Sequence, residues 1–426
     1  MKFRFLHFAD CHLGYWQYNS KDRFNDFARA FLSIVRTAID QKVDFVLLAG
    51  DLFQKRAIDA LTLNQAIIGL ERLKAANIPC IAVEGNHELA YYQEHVGWLQ
   101  FLALRNLLTL LTPEFEGGEV RLTPYHNRKG SYIDILPGVR IHGLKYMGAG
   151  AAAAVEKYAA ALAQLPHAKT EYTIFMAHGG VEGVVDGAIG GLSLREWGVL
   201  RPHVDYLALG HVHKPFEFED WVYNPGSPES CSIAESEWND RGYYLVEVDT
   251  ERPSTGPKHS ATLKANPRRT FCRMTVKTDL FTSPPDLHHH CQELFQRKAR
   301  DFGVHRLADD QRPVVEVLLT GVLPFERNAL NLRQLEEMAL EAFDPLLVLV
   351  KNVTTSPQAA FAGGEGLSRA ELEQQVFVNL LGQNAELREQ SELWAATALS
   401  IKRMALSRTA PDAILDELTA TMEKAK

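Results

Sequence analysis

Cysteine is scarce: 426 residues carry only Cys11, Cys80, Cys231, Cys272 and Cys291, scattered and without a C-x-x-C pair. An odd, dispersed set excludes a disulfide framework and a thiolate-held zinc ribbon, and fits reduced thiols. No run reaches the roughly 18 consecutive apolar residues of a membrane span, so no membrane partner is expected. The opening "MKFRFLHFAD" lacks the charged start, apolar centre and small-residue cleavage site of a signal peptide. A cytoplasmic location is expected. There is no G-K-[ST] of a nucleotide-binding P-loop, so any ATP dependence has to come from a partner. A basic excess is missing too. The formal net charge of −8 argues against a general nucleic-acid coat protein, while leaving room for a local basic groove.

What is present is ordinary in bulk, 46% apolar and 23% charged, at a length that implies two or three domains. Up to about residue 250, short β-rich runs alternate with helical stretches. "FRFLHFAD", "DFVLLAGD", "PCIAVEGN", "YTIFMAHG" and "YLALGHVH" each end in glycine or a polar residue. Between the first two, Phe24, Phe27, Phe31, Val35 and Ile39 recur at helical spacing. Alternating strand and helix predicts an α/β fold with mostly buried strands and ligands at their carboxyl ends. "WVYNPGSPE" and "RGYYLVEVD" read as strands without a helix between them, so part of the sheet system is expected to be antiparallel. The turn-rich "TERPSTGPKHS" (250–260) marks a boundary. The divisions expected are 1–255 for the first domain and 265–355 for a small second α/β unit. A linker at 356–366 and a helical tail at 367–426, opened by a Ser368/Glu371 capping box, complete the chain.

Polar residues collect at the strand ends: Asp10 and His12, Asp51 after Gly50, Asn86-His87-Glu88 after Gly85, His178, and His211 and His213 after Gly210. Carboxylates, imidazoles and an amide without thiolate suit Mn²⁺, Fe²⁺ or Zn²⁺. Seven candidate ligands exceed what one ion takes but suit two ions sharing a carboxylate, about 3.5–4 Å apart, as in phosphoryl displacement. Side chains two apart in an extended segment share a face, so Asp10 and His12 can approach one ion together. His211 and His213 can serve one ion each. The preceding glycines are expected to let the chain turn off each strand. Any single element of this set is weak evidence; the ordered set is strong.

In this order the motifs resemble the calcineurin-like metallophosphoesterases. "HFADCHLG", "AGDLF", "VEGNHE", "AHGG", "GHVHKP" and "YNPGSPE" are similar to the SbcD-type nucleases, bacterial counterparts of the meiotic-recombination-eleven subunit of double-strand-break repair. The resemblance covers about residues 1–250. It implies a four-layer αββα sandwich with a small α/β capping domain and a C-terminal helical tail. It further implies a first metal held by Asp10, His12, Asp51 and His213, and a second held by Asp51, Asn86, His178 and His211. Mn²⁺ is the ion implied. His87 takes the role of the non-ligand histidine that protonates or stabilises the leaving group, as imidazole can near neutral pH. The function implied is a 3'–5' exonuclease and endonuclease working with an SMC-like ATPase of the SbcC type. One position departs: many relatives carry histidine after G-D-L-F, where this chain has Gln54.

Other features carry bland readings beside functional ones. His288, His289 and His290 fall about 100° apart on a helix and cannot converge on one ion, so a solvated helix start is expected. Arg268, Arg269, Arg273 and Lys277 offer DNA-backbone contacts or a solvated strand face. The apolar stretch 91–111 is expected to pack in the core or, by the resemblance, to join a homodimer interface. The tail helices, with Leu372, Val376, Phe377, Leu380 and Trp394, dock the ATPase or pack on their own chain. Two further functions stay open: a small-molecule phosphodiesterase or phosphatase with the same site, and a non-catalytic scaffold.

Overall fold

Apolar side chains alternate between two faces along the central strands of the N-terminal unit, and both faces of those strands are covered. In the strand Lys2–Phe8, Phe3 and Phe5 enter one core cluster while Leu6 and Phe8 enter another. In Tyr206–Gly210, Tyr206 and Ala208 face the first of these while Leu207 and Leu209 face a third. Burial on both faces is what makes these strands read as near-continuous apolar runs.

The computed structural model describes residues 1–89, 96–165, 170–185, 191–238, 240–252, 256–355, 369–382, 387–407 and 409–424. They form two units: Met1–Cys272 with Arg306–Val314, and Arg273–His305 with Val315–Lys426. In the first unit one sheet runs His259–Ala265, Gly242–Asp249, Lys2–Phe8, Phe45–Leu48, Cys80–Ala82, Thr109–Leu110. The other runs Phe216–Phe218, Val222–Asn224, Tyr206–Gly210, Tyr172–His178, Val139–Leu144, Tyr132–Leu136. Side chains from the two sheets meet in a shared core, including Phe5, Phe45, Ile174, Tyr206 and Tyr244. The helices Lys21–Asp40 and Ala60–Ala75 pack on the outer face of the first sheet through Phe31, Ile34, Val35, Ala66 and Leu70. Ala151–Gln164 covers the second through Val155, Tyr158 and Leu162. This is the expected αββα arrangement.

The central strands are parallel: Lys2–Phe8 with Phe45–Leu48 with Cys80–Ala82, and Val139–Leu144 with Tyr172–His178 with Tyr206–Gly210. Thr109–Leu110 and Val222–Asn224 continue the parallel pairing, whereas Gly242–Asp249, His259–Ala265, Phe216–Phe218 and Tyr132–Leu136 pair antiparallel with their neighbours. The hairpin Tyr132–Leu136/Val139–Leu144 was not anticipated, although Pro137-Gly138 between two β-rich runs is a turn signal. It supplies the second sheet's edge.

The second unit has a three-stranded sheet ordered Phe271–Lys277, Val314–Thr320, Leu347–Asn352. The helix Pro284–Asp301, capped by Ser283, buries Leu287, Cys291, Phe295 and Ala299. Leu332–Phe343 buries Leu335, Ala339 and Phe343. His288 is buried on the first of these helices, correcting the expectation of a fully solvated start. His289 pairs with Glu293 at 3.5 Å and His290 packs on the Phe281 ring, so the three imidazoles do diverge. The tail forms Arg369–Gly382, Ser391–Leu406 and Pro411–Lys424. The expected linker 356–366 and Ser368 lie outside the described residues, as does the side chain of Leu372.

Between the two sheets and beneath the second sheet's helix lie neutral imidazoles. Burial lowers His7 and His142 to about 3 and His259 to about 4, from 6.5. An unfolded chain takes up these protons below pH 6.5 while the folded one does not, so stability falls as pH drops through that window. His142 Nδ1 lies 3.2 Å from the Tyr158 hydroxyl, which already donates to the Ser131 carbonyl, and its ring packs on Tyr132. His142→Leu is expected to remove about 1.4 kcal/mol of acid sensitivity per pH unit. Urea unfolding of both proteins from pH 7 down to 5 measures it; parallel curves would show that His142 is not neutral in the fold.

Candidate metal centre

Five strand ends bring their following residues to one edge of the sandwich. Register explains the convergence: Phe8 pairs with Leu48, Leu48 with Ala82, and His178 with Gly210, so the parallel strands stop level with one another. Four residues just past these ends adopt left-handed backbone, Asp10 (φ 55°), His12 (φ 49°), Asp51 (φ 51°) and His211 (φ 84°). Non-glycine residues rarely do so, and such strain gathers at functional sites. The expected division of labour is thus corrected. Gly50 does turn through positive φ, but Gly85 and Gly210 serve close approach. A methyl group at Gly85 would collide with the Asp51 amide and carboxylate, and one at Gly210 with the Ala49 carbonyl.

The side chains meet around Asp51. Its Oδ2 lies 3.3 Å from His178 Nε2 and 3.9 Å from His87 Nε2, while Oδ1 accepts the His87 backbone N–H at 3.0 Å. Asn86 Oδ1 sits 3.1 Å from His178 Nε2 and 2.9 Å from His211 Nδ1. His12 Nε2 and His213 Nε2 are 2.9 Å apart. Asp10, fully buried, accepts the His211 backbone N–H. Asp10, Asp51 and His178 form one group whose ligand atoms all lie within 4.8 Å of one another, and His12, Asp51 and His87 form another. All eight residues singled out from the sequence, His87 among them, are therefore in one place, and Asp51 is common to both groups.

The electrostatics match. Burial pushes Asp51 up, but the surrounding imidazoles, His178 foremost, outweigh it and hold the carboxyl below its usual range. Burial alone would lower His178; the Asp51 and Asp10 carboxylates raise it to about 9 instead. His12, lowered by burial and by the neighbouring His213 imidazole more than Asp51 raises it, drops to about 3. Its Nδ1 is buried and has no hydrogen-bond partner among the described residues. Imidazole nitrogens aimed at one another and at carboxylates, as His12 Nε2 faces His213 Nε2 and His178 Nε2 faces Asp51, fit divalent cations.

Outer contacts orient the donors. His178 Nδ1–H donates to the Ala49 carbonyl at 2.7 Å, leaving Nε2 for the site. His213 Nδ1–H donates to Glu235 at 2.9 Å, and Glu235 is held by Arg241 at 2.6 Å. Burial would raise Glu235, but these two cations bring it to about 2. This carboxylate–histidine pairing fixes ring orientation at metal sites, and sequence reading missed it. Glu235 lies 22 residues beyond His213 with no spacing rule to announce it. His87 Nδ1–H donates to the backbone carbonyl of Gln54, so the unusual residue engages His87 without its side chain. Glu88, named in the motif without a role, is the joint. Its carboxylate accepts from the backbone N–H groups of Asp51 and Gly85 at 3.1 Å and of Phe53 at 2.9 Å.

Residues 3–215 match the sequence model described as Calcineurin-like phosphoesterase, half the chain. The chain belongs to that family. Among relatives, the DNA double-strand break repair protein Mre11 of Archaeoglobus fulgidus is 32% identical over 249 residues, 55% of this chain and 52% of that protein. The protein of the same name from Saccharolobus solfataricus is 24% identical over 350 residues, 80% of this chain and 84% of that one. The match thus spans about half the length of the first relative and most of the second. Among solved structures, the calcineurin-like phosphoesterase YfkN of Bacillus subtilis covers 70% of this chain and 97% of its own at a TM-score of 0.40 and 15% identity. A likeness that weak adds nothing about the site.

The basic residues expected to meet DNA are not equivalent in this phosphoesterase. Arg269 is 6% exposed and spent on Asp26, with a 3.0 Å contact from Nη2 to Oδ1, so its place as a surface contact is corrected. Arg268 donates to the Trp238 carbonyl and Arg273 pairs with the buried Glu316 at 2.9 Å. Lys277 alone of the four is an exposed residue. Within 91–111 the described helix is Trp98–Leu104, whose Leu99, Leu102 and Ala103 belong to the core. Leu104 remains 44% exposed; residues 90–95 lie outside the described set.

Glu88 generates a direct test. Glu88→Ala leaves three buried N–H groups without an acceptor, at about 1–3 kcal/mol each. Denaturant unfolding of the metal-free protein is expected to show a loss of at least about 3 kcal/mol. Unchanged stability would mean these loops are joined by something else.

Proposed function

We propose that this chain is a metal-dependent DNA nuclease that hydrolyses phosphodiester bonds at this centre, with 3'–5' exonuclease and endonuclease activity. The observation that carries the reading is the convergence of Asp10, His12, Asp51, Asn86, His178, His211 and His213 on one buried edge with Asp51 shared. The naming of its relatives as DNA double-strand break repair proteins directs it toward DNA rather than a small diester.

Asp10, His12, Asp51 and His213 would hold one divalent ion, and Asp51, Asn86, His178 and His211 a second, with Mn²⁺ suited to this oxygen–imidazole set. Such a pair, when bound, acidifies water and screens charge on a phosphodiester. The chain's own residues do the rest. Asp51 fixes the spacing between the two groups of donors, held from behind by Glu88 through its backbone N–H. Glu235 and the Ala49 carbonyl hold the protons of His213 and His178 on the outer nitrogens, so the inner ones face the site. His87 is anchored at Nδ1 and partly exposed at 32%, which leaves Nε2 to deliver a proton to a departing sugar oxygen.

The second unit supplies a capping surface for DNA in this reading, with Lys277 as its available cation. The tail helices present Val376 and Leu380, each more than half exposed, to an SMC-like ATPase of the SbcC type. Leu104 and its neighbours form a homodimer contact.

Linear duplex DNA and bis-p-nitrophenyl phosphate, each with Mn²⁺, test the reading. Both are expected to be cleaved, and chelation to stop both. Asp51→Ala is expected to abolish cleavage, and His87→Ala to slow turnover by about 10²–10⁴-fold while Mn²⁺ still binds. Glu235→Gln is expected to weaken Mn²⁺ by about 10–100-fold in calorimetry. Hydrolysis of the small diester without loss of DNA would replace the nuclease reading with that of a small-molecule phosphodiesterase.

A further inference from the structure

We propose that Cys231 gives this centre a competing site for thiophilic ions, in which Zn²⁺ or Cd²⁺ is held by His12, His213 and the Cys231 thiolate. The inference rests on the reading that His12 and His213 are metal donors. It adds a donor that the oxygen–imidazole set does not contain.

Three side chains from three separate segments, His12, His213 and Cys231, each bring a ligand atom within 4.8 Å of the other two, and His12 Nε2 lies 2.9 Å from His213 Nε2. One carboxylate positions two of them. Glu235 Oε1 accepts from His213 Nδ1–H, and its Oε2 accepts the Cys231 backbone N–H at 2.9 Å. Cys231 Sγ lies 3.9 Å from the Glu229 carbonyl, a weak contact for a thiol, and it also interacts with the His213 side chain. His12 is 1% exposed, and its Nε2 rather than its Nδ1 faces His213. Cys11, Cys80, Cys272 and Cys291 are buried, whereas Cys231 is partly open to solvent.

Two imidazoles and a thiolate form a three-ligand set that zinc accepts with water as the fourth ligand. Thiolate selects soft and borderline ions over Mn²⁺. Binding replaces the S–H bond by an S–metal bond and releases that proton to solvent. An ion seated there engages two donors of the first position, so Zn²⁺ and Mn²⁺ compete. The thiol would make the centre sensitive to which divalent ion is abundant.

Metal-free full-length protein is titrated with Cd²⁺ while the ultraviolet thiolate-to-metal charge-transfer band is followed, alongside Cys231→Ser. Wild type is expected to show the band and the variant to lack it. Zn²⁺ is expected to bind the variant at least about tenfold more weakly, since losing even an outer partner costs 10–100-fold. In wild type alone, Zn²⁺ is expected to protect Cys231 from iodoacetamide, read by peptide mass spectrometry. An undiminished band in Cys231→Ser, or alkylation of Cys231 unaffected by Zn²⁺, overturns the proposal. Mn²⁺ binding, followed separately by electron paramagnetic resonance, keeps the two readings apart. Mn²⁺ binding without the Cd²⁺ band sinks this inference alone; the band without Mn²⁺ binding sinks the nuclease reading.

Discussion

The Asp51 carboxylate is the constraint around which the rest of the edge is arranged. One oxygen is tied to the His87 backbone and the other faces His178, so neither can rotate away without breaking a contact. Asp51 itself stands in left-handed backbone, and its N–H is bonded to Glu88. A carboxylate this enclosed would be costly to keep charged without cations beside it, and here the imidazoles supply that compensation. Removing any neighbour therefore changes the charge state of several groups at once.

Rigidity around that carboxylate comes from the sheets. The parallel strands end level because their registers are locked by packing on both faces, where a slip of one residue would exchange two cores. Backbone bonds carry this order outward past the strands: Asp10 N–H reaches the Gly50 carbonyl, and His12 N–H reaches the Asp51 carbonyl, each at 3.1 Å. The strained residues are thereby over-determined by neighbours, which is the condition under which strain persists in a native state.

Much of this was legible in the sequence, for a physical reason. Donor residues at strand ends follow runs with strong apolar patterning, so Asp10, His12, Asp51, Asn86, His87, His178, His211 and His213 could be placed by local reading alone. The outer contacts could not. Glu235 and Arg241 act on His213 through tertiary proximity, and their spacing obeys no helical or strand period. Arg269 shows the opposite error. In sequence it sits in a basic run that looks solvated, yet Asp26, far away in the chain, draws it into the interior with Arg23 and Glu229. Charge runs do not announce their partners. The hairpin at Tyr132–Leu144 was overlooked because its edge strand Tyr132–Leu136 is only partly buried and Val139–Leu144 interrupts its apolar residues with Arg140 and His142.

The position of the first strand has a consequence for how the protein is made. Lys2–Phe8 lies between Phe45–Leu48 and Gly242–Asp249, so its antiparallel neighbour is more than half the chain's length away. On the ribosome, the segment bearing Asp10 and His12 is synthesised early and must wait, one edge unpaired, until Asp249 has emerged. His213, Glu235 and Arg241 arrive in the same late stretch. The centre therefore comes together only after the chain has been made as far as Asp249, which leaves early-made aromatic residues such as Phe3 and Phe5 in need of shielding during that delay.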